Sequence, residues 1–412
     1  MSYAWVILAV LFIGQAAAFG MRSSFGAYIS PWEEDFSANR TLVTSISMLS
    51  FIVFAIGQPL TGKLNEQLGR GIVPTFCLFL MGTSLLLTSL ADQMWQMLLL
   101  YGVGFSLGVS GCCSAVTAAI ANNWFVEKRG LAFGLVLSGM AVGQLILVPA
   151  NLFIIDMLGW RATAMTMSIV FMAVVGPLFI FCLRTRPEEK GLKPYGYKEP
   201  GDNDNKGSKE GETLNRNTLP VTGVLKLRAF WLMAVSYFVC GFTDVGLMQT
   251  HLIPIISLKG FPIAITALVF GLIAVFNIAG TVVSGHLSDH FSRPRLIAIV
   301  YIIRAASYVL LVFIKRPWLL IVFSLIYGSV EGASIAPTNS LIIQLFNKFS
   351  IGTVLGIIVL CHHLGGAFGS WIPGIIYDIT NSYTALLTFS AFLLAGAALT
   401  VLRVKEPGVY NN

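Results

Sequence analysis

The feature that most limits what this chain can fold into is a succession of apolar blocks, each roughly 20 to 28 residues long. Wound as a helix at 1.5 Å per residue, such a block crosses about 30 Å of hydrocarbon. Lipid tolerates little else, because each unpaired backbone group there costs several kcal/mol and a helix pairs them all internally. Hydropathy places spans near residues 4–30, 41–62, 71–90, 94–123, 130–155, 161–183, 229–257, 262–287, 296–314, 318–345, 351–377 and 383–402. Only 11% of the 412 residues are charged, against about 25% in a water-soluble domain. The predicted class is an all-α membrane protein with 12 transmembrane helices. The first block has small residues at Ala16–Ala18 but no basic leading region, and it runs too long for a signal peptide. It reads as a retained helix.

A net charge of +7 could suggest nucleic acid, but its placement does not. With the N-terminus inside, the inner loops hold about 19 of the 26 Lys and Arg residues and the outer loops about 5. The other two, Arg22 and Arg304, lie within spans. That asymmetry predicts a multi-pass protein of a cell membrane with both termini in the cytoplasm. The expected partners are the lipid bilayer, a small-molecule substrate and protons; no nucleic acid is expected, and the chain reads as a monomer. The six cysteines (Cys77, Cys112, Cys113, Cys182, Cys240, Cys361) fall in apolar segments without metal-ligand spacing and read as free thiols.

Residues 184–227 interrupt the pattern: they are polar, rich in Gly, Pro and Asn, and have no apolar period. They read as a flexible cytoplasmic linker between an N-terminal six-helix bundle (1–183) and a C-terminal one (228–412). An internal echo suggests a repeat. After the second span comes Gly62, Glu66 and Arg70; after the eighth comes Gly285, Asp289 and Arg293, both in a G-x-L-x-(D/E)-x-x-x-R frame. The glycine permits close helix contact, and the acid and arginine could bridge helix ends at an inner gate.

These paired loops resemble the signature loop of the major facilitator superfamily, although Glu66 and Gln67 stand where an acid–base pair is typical. The stretch WFVEKRGLAFG at 124–134, followed by Gly139 and Gly143, is similar to the fifth-helix motif of the monocarboxylate porters. Its basic cluster suits an anionic leaflet and its small residues suit tight packing. Arg22-Ser23-Ser24 at the outer end of helix 1 is similar to that family's cation–Ser segment. Gly159-Trp160-Arg161 and Leu364 through Tyr377-Asp378 resemble its bacterial members and the oxalate–formate exchangers. The resemblance implies two pseudo-symmetric six-helix bundles that rock about a central site. Thr281 stands where the family places a carboxylate-gripping arginine in helix 8.

Ionisable groups inside spans point to function. Arg22, with Gln15 on its face, is a candidate to grip a carboxylate in two-pronged fashion; the alternative is snorkelling to the surface. Asp244 and His251, seven residues apart and thus on one face of an α-helix, are proton-coupling candidates together with Glu331. Arg304 needs a structural ion-pair partner, Glu331 or Asp244. Tyr327 precedes Glu331 by one turn. Asn277, Thr281 and Ser284 form a polar stripe on helix 8; Ser106, Ser110, Cys113 and Thr117 form one on helix 4. The resemblance to the exchangers implies an inward cation in helix 11, with His362 preferred over His363. The solute-binding set is therefore Arg22, Asn277, Tyr327 and His362.

The function expected is secondary transport of a small organic anion, a monocarboxylate such as lactate or pyruvate, with proton symport. The alternative is a carrier or exporter of a larger drug, vitamin or metabolite. No metalloprotease, nucleophile-elbow or phosphate-loop motif occurs, so neither an enzyme nor a cofactor is expected.

Overall fold

A computed structural model describes residues 2–197 and 221–406. Twelve helices run through it. We label them α1 (residues 3–35, as Tyr3–Ser23 and Phe25–Asp35), α2 (Arg40–Leu68), α3 (Ile72–Ser89), α4 (Met94–Trp124), α5 (129–158) and α6 (160–182) in the first half. The second half has α7 (Arg228–Leu258), α8 (Ile263–His290), α9 (Arg293–Phe313), α10 (Pro317–Leu345), α11 (Ile351–Thr380) and α12 (Thr384–Leu402). α5 and α6 are continuous except at Gly159, whose φ of 79° turns the chain between them. A side chain there would be strained in that left-handed region. The residues that follow pin the turn: Trp160 Nε1 donates to Asp35 Oδ2 at 3.0 Å, and Arg161 donates to the Ser89 and Ala91 carbonyls at 3.1 and 2.7 Å.

The two halves pack by the same plan. In the first, α1 lies along α5; in the second, α7 lies along α11. Both seams are backbone-close. A Cβ on Gly143 would sit 2.1 Å from the Ala16 carbonyl oxygen, and one on Gly369 would sit 2.1 Å from that of Phe242. Lipid tails are as apolar as the side chains, so close van der Waals contact holds such a seam together. Gly143→Val is therefore expected to lower the thermal midpoint of the detergent-purified protein, with an overpacking cost of about 1–3 kcal/mol. Gly134→Val should leave the midpoint unchanged, since no atom lies within 4 Å of its Cβ position. Equal midpoints for the two variants would refute the close seam.

Between halves, α2 packs on α11, α5 on α8, and the outer segment of α1 on α7. These contacts are tight at the end opposite the linker. A Cβ on Gly374 of α11 would meet Thr44 Oγ1, and one on Gly26 would lie 2.7 Å from the Thr250 carbonyl oxygen. At the linker end, the Cβ positions of Gly62, Gly130, Gly285, Gly352 and Gly356 have no atom within 4 Å. The halves are closed together at one end and apart at the other.

Two expectations about the repeated loops change accordingly. Gly62 and Gly285 make no close helix contact in this conformation, because the halves have separated there. The loop arginines are held by an acid from the end of their own half. The main-chain N–H of Arg70 donates to Glu189 Oε1 at 3.0 Å and that of Arg293 to Glu406 Oε2 at 3.2 Å, while Arg293 Nη1 reaches Glu406 Oε1 at 2.6 Å. Among the described residues neither Glu66 nor Asp289 joins an ion pair.

The start of the linker is also built in. Tyr195 N–H donates to the Trp124 carbonyl at 2.8 Å, and its own carbonyl accepts from Val126 at 2.9 Å. Its ring lies edge-on to Trp5. The aromatic anchor overrides the polar composition around it. Residues 198–220 of the linker lie outside the described residues. All six cysteines are free thiols.

Candidate solute-binding site

α1 continues to Asp35, beyond the sequence-based boundary at residue 30, so Arg22 sits 13 residues before the helix end. At 1.5 Å per residue that is about 20 Å, too deep for its side chain to snorkel out. Its guanidinium lies between two rings of α2, 4.3 Å from the Phe51 centroid and 4.2 Å from Phe54. These two residues are three apart and therefore share a helix face. Ring faces attract the cation but accept no hydrogen bond in the guanidinium plane. Nη1 and Nη2 are both buried and have no partner. Arg22 lines a small cavity of about 10 Å³ with Phe25, Ser47, Ser50, Tyr101, Gln249 and other residues of both halves. The buried Tyr101 hydroxyl is likewise unpartnered. Its ring stacks on Phe105 at 4.5 Å, in a π-helical stretch, Leu98–Phe105, that shifts the helical phase of α4. Unspent donors from α1 and α4 thus converge on one small space.

α11 brings a further group. His363, rather than His362, faces the first half. Gln58 Nε2 lies 3.0 Å from His363 Nε2. An amide NH2 can only donate, so Nε2 accepts and the proton is on Nδ1, which is buried without a partner. His362 turns to its own half, stacking on Tyr237 at 4.3 Å with Nδ1 3.1 Å from the Tyr237 carbonyl. Adjacent residues on a helix point about 100° apart, so the contacts at the Gly365–Gly369 seam decide which is inward.

The second half supplies the acids. Asp244 takes the Tyr327 hydroxyl on Oδ1 and the Arg304 guanidinium on Oδ2 at 3.7 Å. Arg304 is fully buried, donating to Cys240 Sγ at 3.2 Å and to the carbonyls of Val330 and Glu331 at 2.7 and 2.6 Å. Its ion-pair partner is therefore Asp244, and it touches Glu331 only through the main chain. Tyr327 is spent on this network and, at 1% exposure, does not line the cavity. The Glu331 carboxylate faces amides: Asn277 Nδ2 donates to Oε2 at 3.0 Å, and the side chains of Gln144 (α5) and Gln249 (α7) lie against it. Thr281 hydrogen-bonds Asn277 at 3.2 Å and completes the stripe.

His251 is elsewhere. Gly241–Met248 is π-helical, and the extra residue per turn breaks the seven-residue facing that an α-helix would give Asp244 and His251. Nε2 of His251 donates to the Ser370 carbonyl, and Nδ1 accepts from the Tyr383 hydroxyl, both at 2.8 Å. It belongs to a seal at the closed end. There Arg40 forms a two-pronged pair with Glu33 at 2.6 and 2.7 Å, lies 3.9 Å over the Tyr377 ring, and donates to Tyr383 at 3.2 Å. Asp378 of α11 accepts the N–H groups of Arg40 and Thr41, at 3.1 and 2.8 Å, capping α2 from the other half. In the sequence, Arg40 is simply a cation between the first two spans. The one available signal was an acid, Glu33, seven residues before it.

The family model described as Major Facilitator Superfamily matches residues 11–370 and 275–412. Monocarboxylate transporter 13 of Rattus norvegicus is 24% identical over 407 residues, 97% of this chain and 88% of that one. The uncharacterized MFS-type transporter YcxA of Bacillus subtilis is 24% identical, over 93% and 90%. The MFS-type transporter hasB of Aspergillus fumigatus is 27% identical, over 98% and 90%. Among solved structures, a bacterial homolog of the human lysosomal transporter Spinster, in an inward-facing and unoccupied conformation, superposes with a TM-score of 0.72. It is 15% identical, and the match covers 98% of this chain and 95% of that one.

Proposed function

The chain belongs to the Major Facilitator Superfamily and is a multi-pass membrane transporter, and from that premise we propose that it moves a small organic anion, a monocarboxylate such as lactate or pyruvate, by alternating access. Arg22 carries this reading: a buried guanidinium with both terminal nitrogens unspent, at the junction of the two halves. Leaving such a charge without hydrogen bonds is costly, and a planar carboxylate matches its fork with two charge-assisted bonds. Tyr101, which lines the same cavity with its hydroxyl unpartnered, can donate to the same group, and His363 packs from α11 on the Phe54 ring that Arg22 also meets. Asp244 and Glu331 are the acids we assign to proton coupling; His251, spent on the seal, is not. The separated end faces the cytoplasm of the cell, with both termini, in keeping with the positive-inside rule.

The test is uptake of labelled lactate and pyruvate into proteoliposomes under an imposed pH gradient. Arg22→Gln is expected to weaken apparent affinity about 10- to 100-fold, the equivalent of one charged hydrogen-bond set, while Arg22→Lys retains part of it. Flux for a panel of such acids that stays at background whatever the gradient would refute the reading. A larger solute is the second reading, favoured by Thr281 in place of a helix-8 cation and by the aromatic walls Phe51 and Phe54. Binding that monocarboxylates fail to compete would support it.

A further inference from the structure

The walls of the site differ in charge. The first half contributes Arg22, with two unspent nitrogens, and the unpartnered Tyr101 hydroxyl. The second contributes Glu331, a residue 5% exposed whose carboxylate, among the described residues, takes its side-chain hydrogen bonds from the amides of Asn277, Gln144 and Gln249. The nearest base, Arg304, is committed to Asp244 and to main-chain carbonyls, so two acids share one base on that side. Gln249 joins the walls, lining the Arg22 cavity and lying against Glu331. Gln144 reaches the same carboxylate from α5, so Glu331 stands at the junction of the halves.

A buried acid without a base is costly unless something cationic reaches it. Amide neighbours can satisfy lone pairs, but they do not neutralise the charge. A proton meets that need when the site is empty; a solute carrying its own cation meets it when the site is filled. We propose that the preferred solute is a zwitterion, an amino carboxylic acid, with its carboxylate on Arg22 and its ammonium on Glu331. The inference rests on the carboxylate reading above and adds Glu331 as the residue that sets specificity. It also accounts for Thr281: a further cation beside Asn277 and Glu331 would neutralise the acid that the ammonium needs.

The test uses matched pairs differing only by an amine: acetate and glycine, propanoate and 3-aminopropanoate, butanoate and 4-aminobutanoate. Each is titrated against the full chain in nanodiscs at neutral pH, as wild type, Glu331→Gln and Arg22→Gln. At one chain length or more, the amino acid is expected to bind about tenfold or more tighter than its plain partner, the gain of a charge-assisted hydrogen bond. Glu331→Gln should abolish that preference, and because Gln keeps the shape it also keeps the fold. Arg22→Gln should weaken both members of each pair. Plain acids binding as well as amino acids at every length, or a preference that survives Glu331→Gln, would overturn the zwitterion inference and leave the carboxylate reading intact. If no acid of either kind binds, both fall.

Discussion

Replacing Arg304 with leucine is expected to lower stability by about 3–5 kcal/mol, the usual cost of stripping one partner from a buried ion pair. Arg304 has no exposed surface, and its guanidinium ties α9 to α7 through Asp244 and Cys240 and to α10 through two main-chain carbonyls. Removing it orphans those carbonyls and leaves the Asp244 carboxyl in an apolar interior with only the Tyr327 hydroxyl. The measurement is the thermal midpoint of the detergent-purified protein and its yield of monodisperse material. The double change Arg304→Leu with Asp244→Leu removes both charges, and the midpoint should recover in part. A single variant as stable as wild type, or a double variant no better than the single, would show that the pair is not holding the half together.

The second large effect concerns conformation. The seal at the closed end depends on charge. Asp378 accepts from two backbone N–H groups and the Thr41 hydroxyl at the start of α2, where the helix dipole favours an anion. Arg40 is fixed by Glu33 and the rings of Tyr377 and Tyr383. The contacts to Asp378, Tyr377 and Tyr383 join residues 337 or more apart in sequence. Opening that end must break these, while the Arg40–Glu33 pair stays within the first half. With charged hydrogen bonds worth about 1.5–3 kcal/mol each, Asp378→Asn is expected to move the balance between conformers about 10- to 100-fold toward the opposite opening. Spin labels at Ala38→Cys and Asn381→Cys, in a background without the native cysteines, should show a new long-distance population. An unchanged distance distribution would mean that the seal is held by packing alone.

Some of the site was readable in advance. Arg22 stood out because a charge inside a span is costly anywhere in lipid, whatever surrounds it. The need of Arg304 for an acid followed from the same rule, with Asp244 and Glu331 both in range. His362 and His363 could not be separated, because one step along a helix reverses the answer and the sequence does not record which face meets α2. His251 was paired with Asp244 on an α-helical period that the π-helical stretch does not keep. Arg40 was overlooked because an arginine beside a span boundary is ordinary in water, and the chain alone does not show that α11 and Tyr383 close over it.

The sequence by itself determined the membrane class, the twelve crossings and the division into two halves. Each follows from a local demand, that every segment in hydrocarbon satisfy its own backbone and bury no bare charge, and local demands are legible residue by residue. Only the tertiary structure decided which acid meets which base, which donors are left unspent around Arg22, and which end is shut. Those depend on helix phase and on contacts across more than three hundred residues, where a single π-turn redirects a side chain.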